Sequence, residues 1–186
     1  MLDNFRKTYD KFSRPFWVLA LATFIDRIGG TLIFPFFALY ITDKFNVGMT
    51  EAGWLLAVWS ISGMLGTLIG GAIADKFGRR NMIIFGLVAS AFSSVAMGLV
   101  NDLYLFYGLS VFVGLLSNIA GPARQAQIVD LVGEERRGEA FGIMRVAGNL
   151  AWIIGPTIGG LMATRSYLAL FILDAITSLI VAVIYY

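Results

Sequence analysis

The chain has 186 residues, of which 58% are hydrophobic and only 14% charged, with a mean hydropathy of +0.79. A soluble domain carries about a quarter charged residues, so this composition excludes an ordinary water-soluble enzyme or a disordered tail and points to a membrane protein. The absence of Cys and His excludes disulfides, the usual zinc sites and His-based catalytic triads, and a net charge of +2 is too small to suggest a nucleic-acid partner.

About 20 mostly apolar residues cross a bilayer as a helix, and six stretches have that length. The first covers about residues 16–41, behind a basic head holding Arg6, Lys7, Lys11 and Arg14. It is too long for a signal peptide and no small-residue cleavage site follows it. The second covers about residues 50–74, with Thr50 the expected N-cap ahead of Glu51. The third is about 80–100, the fourth about 103–131, the fifth about 138–163 and the sixth about 166–186. The connections are short and polar, so 1–186 reads as one six-span, all-α transmembrane bundle with no linker. Pro35, Pro122 and Pro156 are expected to interrupt the first, fourth and fifth spans. Placing the N-terminus inside puts nine Lys and Arg residues in inner segments and only Lys44 and Arg165 in outer ones. Both termini are therefore expected in the cytoplasm, with the protein integral to an inner or plasma membrane.

A weak internal repeat joins the two halves. Gly66, Gly70 and Gly71 of the second span recur as Gly155, Gly159 and Gly160 of the fifth, 89 residues later. Pro35 and Asp43 recur as Pro122 and Asp130, 87 residues later. Three spans per copy make the copies oppositely oriented, an arrangement of transporters. The plainer alternative is that G-x-x-x-G only lets helices pack closely. Between the second and third spans lies Gly71-Ala-Ile-Ala-Asp75-Lys76-Phe-Gly78-Arg79-Arg80. Asp75 sits at the negative end of its helix and the two arginines at the positive end of theirs, so all should seek partners elsewhere. Asp130 is the expected partner of Arg79 or Arg80, and Asp75 could cap another helix. Gly78 suits a tight turn, and Gly71 should allow close approach.

This loop resembles the cytoplasmic signature of the major facilitator superfamily, G-x-L-A-D-R-x-G-R-R, with Ile73 for Leu and Lys76 for Arg. Gly142, Ala151, Gly155, Pro156, Gly159 and Gly160 follow the family's antiporter pattern, with Ala151 replacing one glycine. The resemblance covers all six spans and implies the N-terminal half of a drug–proton antiporter-like transporter, with protons and a small molecule as partners and a second six-span half to complete it. That half would be a missing C-terminal half or a second copy. One position departs: the family's fourth-span Arg corresponds to Ser110 here, so its proton-relay role does not carry over.

Charges inside a span are costly and are functional by default. Asp26 and Arg27, Arg124, Arg145 and Asp174 lie in span interiors. At about 1.5 Å per residue, Asp26, Arg124 and Arg145 share the inner half of the bilayer, and Asp26 should cluster with one or both arginines. Asn118, Gln125, Asn149 and Trp152 are weaker cavity-lining candidates. A buried ion pair that only fixes packing is the alternative for each charge. Nothing in this pattern asks for a cofactor or metal. The leading function is alternating-access transport, with proton-coupled efflux of small molecules or drugs. Alternatives are a transporter of organic anions or metabolites, or a non-transporting scaffold or receptor. An intramembrane enzyme is disfavoured, because no span carries Tyr-Asp or Gly-x-Gly-Asp.

Overall fold

The computed structural model describes residues 8–186, so Arg6 and Lys7 of the basic head lie outside the described residues. The described residues are helical, with no strand among them. Six stretches are long and apolar enough to cross a membrane: span 1 (Arg14–Phe45), span 2 (Met49–Phe77), span 3 (Arg79–Leu99), span 4 (Leu103–Leu131), span 5 (Glu134–Ala163) and span 6 (Tyr167–Tyr185). A helix satisfies its own backbone, which hydrocarbon cannot do for it. The 29 residues of span 2 reach about 43 Å, enough for the hydrocarbon core and both interfaces.

The ends follow local chemistry. The Asp102 carboxylate caps span 4 by accepting from the Leu105 amide at 2.8 Å. Ser166 caps span 6 through the Ala169 amide at 3.3 Å. Span 2 begins earlier than expected, with Gly48 as its N-cap and Thr50 already helical. Asn46 takes a left-handed φ of 52°, which ends span 1 and leaves only a short link before the next helix. Gly78 joins spans 2 and 3 at φ 85°, a conformation that a side chain disfavours.

The prolines act differently from one another. Around Pro35 the chain tightens into a 3-10 turn, Phe34–Phe36, before the helix resumes. Span 4 breaks at Ala120, and Pro122 sits in the first turn of its second segment, where a missing N–H costs nothing. Span 5 corrects the expectation: Arg137–Ala163 is one helix with Pro156 inside it. The neighbouring helix supports it there, since the Thr31 hydroxyl of span 1 lies 3.1 Å from the Ala151 carbonyl.

Span 1 packs along span 5, span 2 along span 4, and span 3 along span 6; span 6 also meets span 1, and span 3 meets span 4. Exchanging 1 with 4, 2 with 5 and 3 with 6 returns the same set of pairs. The glycines repeat this residue by residue. A Cβ on Gly66 would overlap the Leu115 carbonyl, and one on Gly70 the Ile119 carbonyl. A Cβ on Gly155 would overlap the Thr31 hydroxyl and lie 3.1 Å from the Ile28 carbonyl oxygen; one on Gly159 would overlap the Leu32 carbonyl. Leu115 and Ile119 follow Ile28 and Leu32 by 87 residues, the offset already visible in the prolines. The fold is two inverted three-helix repeats, and G-x-x-x-G is their shared packing seam. Gly71 is not part of it, since its nearest neighbour, Pro122 Cβ, is at an ordinary 4.0 Å.

At the end of the bundle where spans 1 and 3 finish, Tyr40 donates to the Met97 carbonyl at 2.8 Å. Lys44 donates to the Tyr40 hydroxyl at 2.8 Å and to the Gly98 carbonyl at 2.7 Å. Both carbonyls belong to the last turn of span 3, where a cation is favoured. Lys44, an exception in the charge count, thus has a packing reason for its place. Tyr40→Phe should cost about 1–3 kcal/mol, because it leaves a buried carbonyl unsatisfied and Lys44 short of a partner. Denaturant unfolding of the purified chain in detergent measures this. A loss below about 0.5 kcal/mol, the range of an ordinary surface substitution, would show the hydroxyl to be idle.

Candidate functional site

Spans 2, 4 and 5 bury only 22%, 28% and 17% of their most apolar windows, against 44% for spans 1 and 3 and 39% for span 6. Spans 3 and 6 pack along each other, while spans 2, 4 and 5 leave long faces uncovered.

Asp26 of span 1 and Arg124 of span 4 form an ion pair, with Arg124 Nη1 donating to Asp26 Oδ2 at 2.5 Å. Their side chains keep 16% and 28% of their exposure, so the pair is screened from water without being sealed. Span 4 presents Arg124 from the helical segment that restarts at Gly121, so the break at Ala120 sets its direction. Arg145 does not join the cluster. It is exposed on span 5 and makes no ion pair among the described residues, as is also true of Arg27 on span 1. Successive residues of a helix are rotated by about 100°, so Arg27 does not share the face of Asp26. Asn149 is likewise exposed. Asp174 is buried on span 6, where its Oδ1 would stand 2.7 Å from a Cβ on Gly29. Gly29 therefore makes room for the carboxylate against span 1. No group of three or more Asp, Glu, His or Cys that could hold a metal occurs among the described residues.

Aromatic residues on the uncovered face form a row that the sequence does not single out. Phe34 of span 1 has its ring 6.0 Å from Trp59 of span 2 and 5.6 Å from Trp152 of span 5. Phe34 and Trp152 are about half exposed. Beside them a hollow of about 270 Å³ opens between spans 2 and 4, lined by Trp59, Ser60, Gly63, Met64, Thr67 and Asn118. Trp152 and Asn118 are visible in the sequence as neighbours of the intramembrane charges, but Phe34 and Trp59 are indistinguishable by sequence from lipid-facing aromatics.

At the loop between spans 2 and 3, Arg79 pairs with Asp130 and also donates to the Ala126 carbonyl at 3.2 Å. Arg80 takes a different partner, the Tyr185 carbonyl at 2.8 Å. The two arginines thus tie span 3 to spans 4 and 6. Asp75 is exposed and has no hydrogen bond or ion pair among the described residues, so it caps no helix among them. In the antiporter pattern Gly155 and Gly159 form the seam with span 1, and a Cβ on Gly160 would stand 3.2 Å from the Phe36 ring. Gly142 is exposed, with nothing within 4 Å of where a Cβ would stand.

Residues 19–186 match the sequence profile of the Major Facilitator Superfamily. A Na(+), Li(+), K(+)/H(+) antiporter of Planococcus maritimus is 29% identical, matching 93% of this chain and 42% of the antiporter. Multidrug resistance protein 2 of Bacillus subtilis is 29% identical over 96% of this chain and 44% of its own length. Quinolone resistance protein NorA of Staphylococcus aureus is 28% identical over 83% of this chain and 40% of its own. This chain thus spans less than half the length of these relatives. Among solved structures, a POT family transporter in complex with 5-aminolevulinic acid superposes with a TM-score of 0.83 at 22% identity, over 92% of this chain and 37% of that one.

Proposed function

The chain belongs to the Major Facilitator Superfamily, and we propose that it forms one half of a non-enzymatic secondary transporter that exports small, often hydrophobic molecules in exchange for protons. The observation that carries this reading is the Asp26–Arg124 pair, a carboxylate held by a cation from another span in the interior of the membrane-spanning region. Asp26 is the proton site. Phe34, Trp59 and Trp152 offer flat apolar surface to the substrate, and Asn118 and Asn149 offer hydrogen bonds. The faces of spans 1, 2, 4 and 5 would meet a second six-span half and close the cavity, because unpaired intramembrane arginines are costly against lipid. The excess of Lys and Arg at one end supports a cytoplasmic placement of both termini in an inner or plasma membrane.

The experiment reconstitutes the complete transporter in liposomes and follows proton movement on addition of candidate substrates. Proton flux that depends on a hydrophobic substrate supports the reading; substrate movement with no dependence on the proton gradient overturns the coupling. A second reading, transport of organic anions, is favoured by one observation: Arg27 and Arg145 are exposed cations without a carboxylate partner among the described residues. Competition between anionic and neutral compounds in the same liposomes separates the two.

The exposed Asp75 would serve the same cycle as half of a latch whose partner lies on the other half. Asp75→Asn is expected to slow or bias conformational exchange with little change in ligand affinity, since the residue lies at the rim. Transport and equilibrium binding measured side by side check this. Lost binding with an unchanged conformational equilibrium would count against the latch.

A further inference from the structure

The inner ends of spans 1, 3, 4 and 6 enclose a second cavity, of about 360 Å³. Arg14, Arg80, Gln127 and Tyr185 are its polar lining residues, and Val18, Leu131 and Ile184 are among its apolar walls. We propose that this cavity seats the headgroup of an anionic phospholipid of the phosphatidylglycerol type.

Three observations converge on that occupant. First, neither arginine has a carboxylate partner among the described residues. Arg14 has no hydrogen bond or ion pair among the described residues. Arg80 donates its Nε to the Tyr185 carbonyl and lies over the Tyr186 ring at 6.0 Å, which fixes the guanidinium at the cavity wall, and its terminal nitrogens have no hydrogen bond among the described residues. A phosphodiester matches two such forks as no water molecule does. Second, Gln127 Oε1 is buried without a hydrogen-bond partner among the described residues. It is an acceptor and requires a donor, which the headgroup hydroxyls of phosphatidylglycerol carry and the phosphodiester oxygens themselves do not. Third, the wall of span 1 runs from Arg14 through Pro15, Val18 and Leu19 to Ala22, eight residues or about 12 Å toward the middle of the helix. An apolar track of that length beneath two cations suits the start of an acyl chain. A soluble anion has no use for it. Basic recesses between transmembrane helices are the expected form of such lipid sites.

The Asp26–Arg124 pair and the aromatic row are not part of this cavity, so the inference stands apart from the transport reading. Native mass spectrometry of the purified chain in detergent, titrated with phosphatidylglycerol, phosphatidylcholine or inorganic phosphate, tests it. Phosphatidylglycerol should be retained in preference to phosphatidylcholine. The double variant Arg14→Gln/Arg80→Gln should weaken it about thirtyfold, taking the usual strength of two basic residues beside an anionic lipid. Lys76→Gln, which removes a charge from the same end outside the cavity, should leave retention unchanged. Val18→Trp fills the apolar track and keeps both guanidiniums, and it should also reduce retention. Equal retention of the two lipids, an equal loss in Lys76→Gln, displacement by inorganic phosphate, or full retention in Val18→Trp would each overturn the proposal.

Discussion

Asp26→Asn is expected to abolish proton-driven uphill transport by the complete transporter, while substrate exchange at equal pH continues at least in part. The substitution keeps the size of the side chain and one acceptor oxygen for Arg124, but removes titration together with the negative charge. In the structure Asp26 is paired with Arg124, which reaches it from a different helix. An ionised carboxylate shielded from water depends on its counter-charge, and separating the two favours the protonated acid. Relative movement of spans 1 and 4 between access states would therefore load or release a proton. The energies are adequate: a tenfold change in proton affinity is only about 1.4 kcal/mol. The same pair also has a packing role, and the two roles can be separated. Arg124→Gln alone leaves Asp26 without its partner, which costs about 3–5 kcal/mol for a fully buried pair and less here, because Arg124 is 28% exposed. The double variant Asp26→Asn/Arg124→Gln removes the orphaned charge and should recover much of that stability without recovering coupling. Undiminished uphill transport in Asp26→Asn would remove it as the coupling site and leave Asp174 or the second half.

What can be read from residue order divides along physical lines. Span number, the inverted repeat and the Arg79–Asp130 pair are legible, because hydropathy, glycine spacing and misplaced helix-end charges act locally. The choice of Arg124 over Arg145 is not. Depth along a helix follows from counting residues, but the azimuth that decides which side chain meets Asp26 depends on how spans 1, 4 and 5 are rotated in the bundle. Pro156 departs from expectation for a related reason. A proline disfavours a helix interior, yet span 5 stays one helix where Gly155 and Thr31 bring span 1 close beside it. Lys44 reads as a stray outer charge in the sequence, whereas in the fold the carbonyls at the end of span 3 come within its reach. The row of Phe34, Trp59 and Trp152 is hidden by abundance, since a chain with 15 Phe and 4 Trp gives no local sign of which aromatics face a cavity.

The glycine seam carries the other large expected effect. Replacing glycine by alanine within a helix gains roughly 1 kcal/mol in propensity. Gly148→Ala, where nothing lies within 4 Å of the new methyl, should therefore be neutral or stabilising. At Gly66, Gly70, Gly155 and Gly159 the methyl would meet the facing helix, and at three of these four the obstacle is a backbone carbonyl that no rotamer change can move. Overpacking of this kind costs about 1–3 kcal/mol, and in a membrane no hydrophobic force between helices offsets it. Each substitution should lower unfolding stability in detergent. The inverted repeat makes the prediction sharper: Gly70→Ala and Gly159→Ala should lose similar amounts, because each methyl meets the carbonyl of a repeat-related residue, Ile119 or Leu32. Gly155→Ala should be comparably costly, because its methyl would also stand 2.9 Å from Thr31 Cβ, which rotating the hydroxyl does not move. Four neutral substitutions would reduce the repeat to a coincidence of composition. Gly142 belongs to the same motif but has an open surface around it. Gly142→Ala should leave the stability of this chain intact and impair transport only in the complete protein, where the facing half would press against that position.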